Sequence, residues 1–404
     1  MRREARSILF AFGCLLISGV LKDSYAQQRD PGYSWNLEYT GDYMANLSGG
    51  AQRGQVFLGN LDATLELDGS RLWGTEGSRV FLYGLGNQGG EPSGLVGDAQ
   101  GVNNIEANNT FRLYEAWIEQ SFASSTASIL AGLLDVNAEF DAIGTAGLFI
   151  HPSHGIGPDF SQSGENGPSI FPVTSLGIRA RWVPRPNVFV QSAVLDGVSG
   201  NPDRPNGTRI KFGEGDGLLI VSEIGYLRGR QDAWISRTDE DGQELKAMLG
   251  FWTYTSKTAT ILEGPQSNNW GAYGLVESSL YQEQGNAGQG LSAWIRTGIA
   301  RSSINRFGTY LGTGAVYTGL FNGRDEDQIG LALAMAFNTE DYQESQDDLG
   351  LQTTSAEHNI EFSYLSILTE RVSVIFDIQY VINPNTDPNL SNAFVGAMRW
   401  GISL

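Results

Sequence analysis

The chain has 404 residues, a formal charge of −19 at pH 7, 52 glycines against 13 prolines, and one cysteine. That length and single thiol exclude a small disulfide-stapled fold, and the acidic surplus opposes binding to nucleic acid or to anionic membrane surfaces. With 19 Phe, 15 Tyr and 9 Trp spread among short segments of alternating polarity, two classes remain: a large soluble β-protein, or a transmembrane barrel, whose signal per strand is weak.

The first element is a secretory signal. Arg2, Arg3 and Arg6 precede an apolar run over 8–20, and Ser24-Tyr25-Ala26 supplies the small residues required three and one positions before cleavage. The run is too short, and too soon interrupted by Lys22 and Asp23, to span a bilayer. Cleavage is expected after Ala26, leaving 27–404 as one domain. Cys14 lies inside this signal, and Ala11 and Phe12 before Gly13-Cys14 are poor company for a lipidated cysteine. The exported chain is therefore expected to carry no thiol. Beyond the signal no stretch approaches the roughly 18 consecutive apolar residues of a membrane helix.

A strand that crosses a bilayer needs about 9–11 residues, with one face toward lipid and the other toward the lumen. That template fits sixteen segments in chain order: 34–45, 56–67, 79–85, 111–122, 127–135, 175–183, 187–195, 218–228, 244–255, 270–281, 290–301, 310–321, 328–337, 356–365, 371–381 and 392–404. The alternation is cleanest where Leu61, Ala63, Leu65 and Leu67 interleave with Asn60, Asp62, Thr64 and Glu66. It recurs at Leu176, Ile178, Ala180 and Trp182 against Arg179 and Arg181, and at Phe376, Ile378 and Tyr380 against Asp377 and Gln379, with Ile375 out of step. An even strand number is what single-chain bacterial barrels require.

Connections sort into two kinds. Those at 124–126, 184–186 and 366–370 are short; those at 86–110, 136–174, 196–217, 256–269 and 338–355 are long, polar and rich in Gly, Asn and Asp. Short turns on the periplasmic side and long loops outside are the habit of a membrane barrel, and a soluble sandwich or propeller has no reason for it. The stretches near 68–78 and 229–243 are longer than a periplasmic turn should be. In the last segment Phe394, Gly396, Met398, Trp400, Ile402 and Leu404 form one apolar face. This resembles the C-terminal signature read by the barrel-assembly machinery, which usually ends in Phe where this chain has Leu404. Outward Trp182, Trp400, Tyr364 and Tyr380 fit an aromatic girdle.

Four stretches resemble the carbohydrate-selective porin family of OprB type. They are Leu113-Tyr114-Glu115-Ala116-Trp117-Ile118-Glu119 with Ala131-Gly132-Leu133-Leu134-Asp135 and Asn137-Ala138-Glu139-Phe140; Phe171-Pro172-Val173-Thr174-Ser175-Leu176-Gly177-Ile178-Arg179; Gly319-Leu320-Phe321-Asn322-Gly323-Arg324 with Asp327; and Glu361-Phe362-Ser363-Tyr364 running through Asp377 to Asn383-Pro384. The resemblance covers most of 27–404. It implies an all-β, sixteen-stranded transmembrane antiparallel barrel in the outer membrane of a Gram-negative bacterium, passive diffusion of sugars, and a channel narrowed by extracellular loops folded inward. It leaves open which mono- or disaccharide passes and whether a general porin is the better description.

A channel for sugars has to offer charged groups that bond hydroxyls in pairs and aromatic rings for a pyranose face. Parity points Glu115, Trp117 and Glu119 inward, with Tyr114, Ala116, Ile118 and Phe122 toward lipid. It also points Arg179, Arg181, Arg296 with Trp294, and Asp377 with Gln379 inward. These are the expected pore-lining residues, with Arg179 and Arg181 forming a basic ladder that faces Glu115, Glu119 and loop acids across the lumen. The stretch 136–174, which carries Phe149, His151, His154, Asp159 and Phe160 among glycines, is the expected constriction loop. His151 and His154 have no further His or Cys near them, the third histidine being His358, and no EF-hand spacing is present, so no metal or other cofactor is expected. Expected partners are sugar solutes, outer-membrane lipid and the assembly machinery, and not nucleic acid; a homotrimer stays open. An outer-membrane hydrolase would need a nucleophile with a histidine partner or a Gly-x-Ser-x-Gly elbow, which is lacking, and no enzyme is expected. A soluble secreted carbohydrate-binding β-protein is the remaining alternative.

Overall fold

The computed structural model describes residues 32–122, 125–201, 203–229, 244–284 and 286–404. The expected signal over 1–26 lies outside the described residues, as does 230–243. Sixteen strands follow one another: β1 Tyr33–Ser48, β2 Gly54–Asp68, β3 Ser78–Gly89, β4 Thr110–Phe122, β5 Ala127–Leu134, β6 Ser175–Arg185, β7 Val188–Asp196 and β8 Leu218–Arg228. The second half comprises β9 Leu245–Thr258, β10 Ser267–Glu283, β11 Asn286–Ala300, β12 Phe307–Thr318, β13 Gln328–Asn338, β14 Ala356–Thr369, β15 Val372–Ile382 and β16 Ala393–Ser403. Each pairs antiparallel with its neighbours in the chain, and β1 closes on β16 through a register that sets Tyr43 opposite Met398. All sixteen lie where the alternation places them.

Closure pairs β1 with β16, so the strands' backbone groups are bonded within the wall along most of their length, as a lipid environment demands. Side chains then divide by parity. On β13 the outward residues are Leu331, Leu333, Met335 and Phe337, and the inward ones Gly330, Ala332, Ala334 and Ala336. The outer surface exposes Leu249, Trp182, Leu331 and Ile178, each more than half accessible. In water such a band would be a liability; against lipid it is the stabilising face. No described helix is long and apolar enough to cross a membrane.

The two rims differ. One carries the tight β6–β7, β10–β11 and β14–β15 turns. The other carries the long connections 90–109, 135–174, 197–217 and 339–355. The stretch 69–77, long for a turn rim, contains a one-turn helix, α1 (Gly69–Leu72), begun by the Asp68 carboxylate accepting from Ser70 N.

One expectation about facing fails. Parity places Tyr114 toward lipid, yet it is buried and donates to Asp135 Oδ2 at 2.6 Å. The cause is a bulge: Tyr83 pairs with Glu115 while Gly84 pairs with Leu113, so Tyr114 is the extra residue and parity reverses there. Beside it β5 has only eight residues and covers β4 from Ala116 to Phe122. The bare edge above is bonded by loops instead: Thr208 Oγ1 donates to Leu113 O at 2.8 Å and Thr174 Oγ1 to Tyr114 O.

Candidate functional site

The lumen is largely filled, chiefly by the connection 135–174. It leaves the wall at Leu134 and re-enters at Ser175, with its neck closed by Val136 N donating to Ser169 O at 2.7 Å. Inside it forms 3₁₀ turns at Val136–Ala138, Thr145–Leu148 and Pro152–His154 and a short helix at Pro158–Ser161. Its apolar residues divide between two clusters. Phe140, Ile156 and Phe160 pack with Leu195, Leu219, Val221, Trp252 and Tyr273, and Phe160 stacks on Trp252 at 5.2 Å and 9°. Ile143, Leu148, Phe149 and Ile150 pack with Phe189, Met248, Leu275, Trp294, Leu365 and Ile375, which explains why Ile375 breaks the polar run of β15.

A loop buried this way must find partners for its backbone. Wall carboxylates supply them. Glu277 Oε1 accepts from Thr145 N at 2.5 Å, Glu223 Oε1 from Asp141 N at 3.1 Å, and Glu361 Oε1 from Ile150 N at 2.6 Å. Lys246 Nζ donates to Ala142 O at 2.5 Å. Arg296 grips two loop carboxylates at once. Its Nε and Nη2 donate to Asp141 at 3.1 and 2.7 Å, and Nη2 and Nη1 donate to Asp159. The imidazoles of His151 and His154 are buried too. Burial pushes both pKa values down, His151 well below its ordinary range and His154 to about 3. His154 Nε2 lies 3.2 Å from Glu361 Oε2 without hydrogen-bond alignment, and burial outweighs the opposing pull of the Asp377 carboxylate. Both rings are structural parts of the loop.

The inner faces of β12 and β13 are small where the loop lands. A Cβ added at Gly330 would lie 2.7 Å from Phe149 Cζ and 2.8 Å from Leu148 Cδ2. Gly330→Val is therefore expected to lift the loop at a cost of about 1–3 kcal/mol of overpacking. Faster proteolysis within 136–174, with barrel migration on a gel unchanged, would show it; cleavage at the natural rate would mean the loop does not rest there.

All eight expected pore-lining residues point inward, but seven are almost wholly covered: Glu115, Trp117, Glu119, Arg179, Arg296, Asp377 and Gln379 are each 8 % exposed or less. Arg181 alone of the eight keeps partial exposure, its guanidinium 4.8 Å from the Phe189 ring. The ladder facing acids across the lumen is also corrected. Arg179 Nη2 donates to Glu119 Oε1 at 2.9 Å on the same wall, and Nε to Glu139 Oε2 of the loop at 2.5 Å. Arg79 joins from the other side, donating to Glu119 Oε2 at 2.7 Å and reaching Glu66 at 3.5 Å. The charges form a chain, Glu66–Arg79–Glu119–Arg179–Glu139, running round the wall. With the loop covering Arg179 and Glu119, each buried charge needs an opposite partner in contact, which a ladder separated across the lumen would not supply. Burial pushes the Glu139 carboxyl up, but Arg179, Arg181 and Arg79 outweigh it and hold its pKa low.

The remaining members have anchoring contacts. Glu115 Oε2 accepts from Trp117 Nε1 at 3.2 Å; Gln379 Nε2 donates to Val102 O at 2.9 Å; Asp377 Oδ2 accepts from Ser363 Oγ at 2.5 Å. Val102 belongs to the second inward connection, 90–109, whose Val96, Val102 and Ile105 pack on Met44, Leu58, Val381 and Val395. It starts with a short helix, α2 (Pro92–Val96).

What stays wet is a strip the sequence reading passed over. Thr64 and Glu66 on β2, Arg79 and Tyr83 on β3, Arg181 on β6, Arg399 on β16 and Glu139 of the loop keep partial exposure. Tyr83 Oη donates to Asp62 Oδ1 at 2.5 Å, and Arg399 donates to Asp42 at 2.8 and 2.7 Å. Phe81 stacks on Trp117 at 5.0 Å, and Tyr83 meets Tyr114 edge-on at 5.0 Å. Parity within 79–85 could have found Arg79, Phe81 and Tyr83, which alternate with Val80, Leu82 and Gly84.

Comparison with known proteins bears on this arrangement. Residues 53–404 match the sequence model of the family described as carbohydrate-selective porin, OprB family. The chain is 21% identical to Porin B of Pseudomonas aeruginosa, with 92% of this chain and 87% of that protein aligned. Among solved structures, the high-pH structure of Pseudomonas putida OprB superposes with a TM-score of 0.80 at 18% identity, covering 93% of this chain and 95% of that one. The low-pH structure of the same protein gives 0.60 at 18% identity, with 93% of each chain covered. The outer membrane channel DcaP of Acinetobacter baumannii gives 0.52 at 8% identity, covering 92% of this chain and 97% of that one. At such identities the structures speak for the fold.

Proposed function

The chain belongs to the OprB family of carbohydrate-selective porins, and from that premise we propose that mono- and disaccharides cross it along the wet strip beside the infolded loop. It is a carbohydrate-selective porin of the Gram-negative outer membrane. The observation that supports this route is the exposure pattern: the wall from β7 to β14 is packed against loop, while polar groups on β2, β3, β6 and β16 keep contact with water. Along such a strip Arg79, Arg181 and Glu139 can bond pairs of sugar hydroxyls, and Tyr83 offers a ring face. Each such bond replaces one to water, so attraction stays shallow and the solute can leave.

No catalytic step or cofactor enters this reading. The outward face of β16, from Phe394 to Ile402, is the surface we assign to the assembly machinery. A single barrel encloses the strip, so a homotrimer would repeat the route without completing it.

Liposome swelling tests the route. Tyr83→Ala and Arg181→Ala are each expected to change the glucose rate relative to an uncharged polyol of similar size by about fivefold, as loss of roughly 1 kcal/mol of hydrogen bonding implies. Equal ratios in both variants and the natural chain would remove these residues from the route and favour a general pore.

A further inference from the structure

On the outer wall, independent of the sugar route, there is a hollow of about 410 Å³ where β14, β15, β16 and β1 meet. Its floor is a pair of small residues, Ala45 on β1 opposite Gly396 on β16. Around them stand Tyr43, Phe376, Ile378 and Met398, each more than 40 % exposed. A Cβ added at Gly396 would touch only Leu47 Cδ1, at 3.6 Å, so the space over the floor is open. The one charged residue at its border, Asp377, turns its carboxylate inward to Ser363. What fills this hollow must therefore be apolar.

One wall residue leads from the hollow to a cation. Tyr364 borders it, and Tyr364 Oη donates to Asp327 Oδ2 at 2.5 Å in the β12–β13 turn, on the tight-turn rim. Asp327 is 4 % exposed and also accepts from Ile367 N at 3.0 Å and from Arg324 Nε at 2.8 Å. Arg324 Nη2 donates to Ser366 Oγ. The guanidinium is thereby fixed beside the hollow, yet the side chain stays 39 % exposed. Next to it Leu320 and Phe321 are half-exposed, and Phe321 meets the Tyr364 ring edge-on at 6.1 Å. Aromatic rings with a cation at such a rim mark the head-group layer of a membrane. Asp325 and Glu326, the next residues in the chain, are exposed acids.

We propose that this face binds one phospholipid of ethanolamine type, with an acyl chain in the hollow and the phosphate on Arg324. The tight-turn rim of an outer-membrane barrel faces the periplasm, and the leaflet there is built of phospholipid. With Nε and Nη2 engaged, Arg324 Nη1 remains to meet a phosphate oxygen. Asp325 and Glu326 oppose a purely anionic head group and suit one whose ammonium follows its phosphate. A second copy of the chain fits less well: eleven residues border the hollow, against roughly 20–30 a side in a specific protein interface.

Native mass spectrometry of delipidated protein in detergent, offered palmitoyl-oleoyl phosphatidylethanolamine, tests the proposal. One lipid per barrel is expected. Gly396→Leu, which fills the hollow, and Arg324→Gln, which removes the cation, should each weaken its binding about tenfold or more. Arg324→Lys should recover part of the loss, because a point charge still attracts phosphate. Leu249→Ala, on the outer face of β9, and Arg71→Gln, at an exposed arginine on the same rim, should bind like the natural chain. A natural chain that retains no lipid overturns the proposal, as does weakening in only one of Gly396→Leu and Arg324→Gln. Tighter retention of phosphatidylglycerol than of phosphatidylethanolamine overturns it as well. So does a dimer that Gly396→Leu splits, which would put a second copy in the hollow.

Discussion

Arg296→Met is expected to release the constriction loop while the barrel stays folded. The Arg296 guanidinium is 1 % exposed, lies between the Tyr273 and Tyr310 rings at 5.4 and 5.3 Å, and bonds both Asp141 and Asp159. Removing it leaves two loop carboxylates buried without their cation, and breaking such a pair from one side costs about 3–5 kcal/mol. The wall is held by sixteen ladders that do not involve these groups, so the cost falls on the seating of the loop. Single-channel records should show larger, noisier conductance, with barrel migration on a gel unchanged. Arg296→Lys should fall between, because a point charge cannot bond two carboxylates in parallel. The triple variant Arg296→Met, Asp141→Asn, Asp159→Asn should return toward the natural conductance, since charge and counter-charge leave together. If Arg296→Met conducts like the natural chain, the loop is held by its apolar contacts alone.

Cutting the loop out should have the largest effect on permeation. The neck bonds between Val136 and Ser169, and between Ser169 Oγ and Leu134 O at 2.5 Å, lie outside the excised part if 140–166 is replaced by a short glycine-serine link. A sixteen-stranded barrel with an empty interior is wide enough to be an aqueous channel. Conductance should rise roughly severalfold, and disaccharides should swell liposomes nearly as fast as glucose. Trp252, Tyr254 and Tyr273, now covered by Phe160 and its neighbours, would face water. Their emission should shift to the red accordingly. Retained discrimination would place selectivity in the wall and not in the gap beside the loop.

The barrel was legible because a period-two signal that is weak in any one strand is repeated sixteen times, and lipid punishes a slip in register. Depth was not. Parity assigns Arg179 or Glu119 to the lumen side but says nothing of what lies over them, and the covering residues come from a segment far along the chain. Tyr114 was misplaced because a bulge leaves no mark in a single sequence. The role of Glu139 leaves no mark in the sequence, since its partners Arg179 and Arg79 lie on two different strands. One signal could have been read. In 330–336 Gly and Ala alternate with Leu and Met where a wet lumen would call for polar residues. Small residues facing inward announce that something packs against them.

The proposed sugar route runs on one side of a filled lumen. Single cysteines, in a background without Cys14, test it through reaction with a charged methanethiosulfonate while current is recorded. Tyr83→Cys and Arg181→Cys should be labelled and lose conductance, whereas Ala193→Cys and Ala332→Cys, at positions 2 % exposed on the packed side, should stay unlabelled. Labelling of the two packed-side cysteines as fast as Tyr83→Cys would contradict the account.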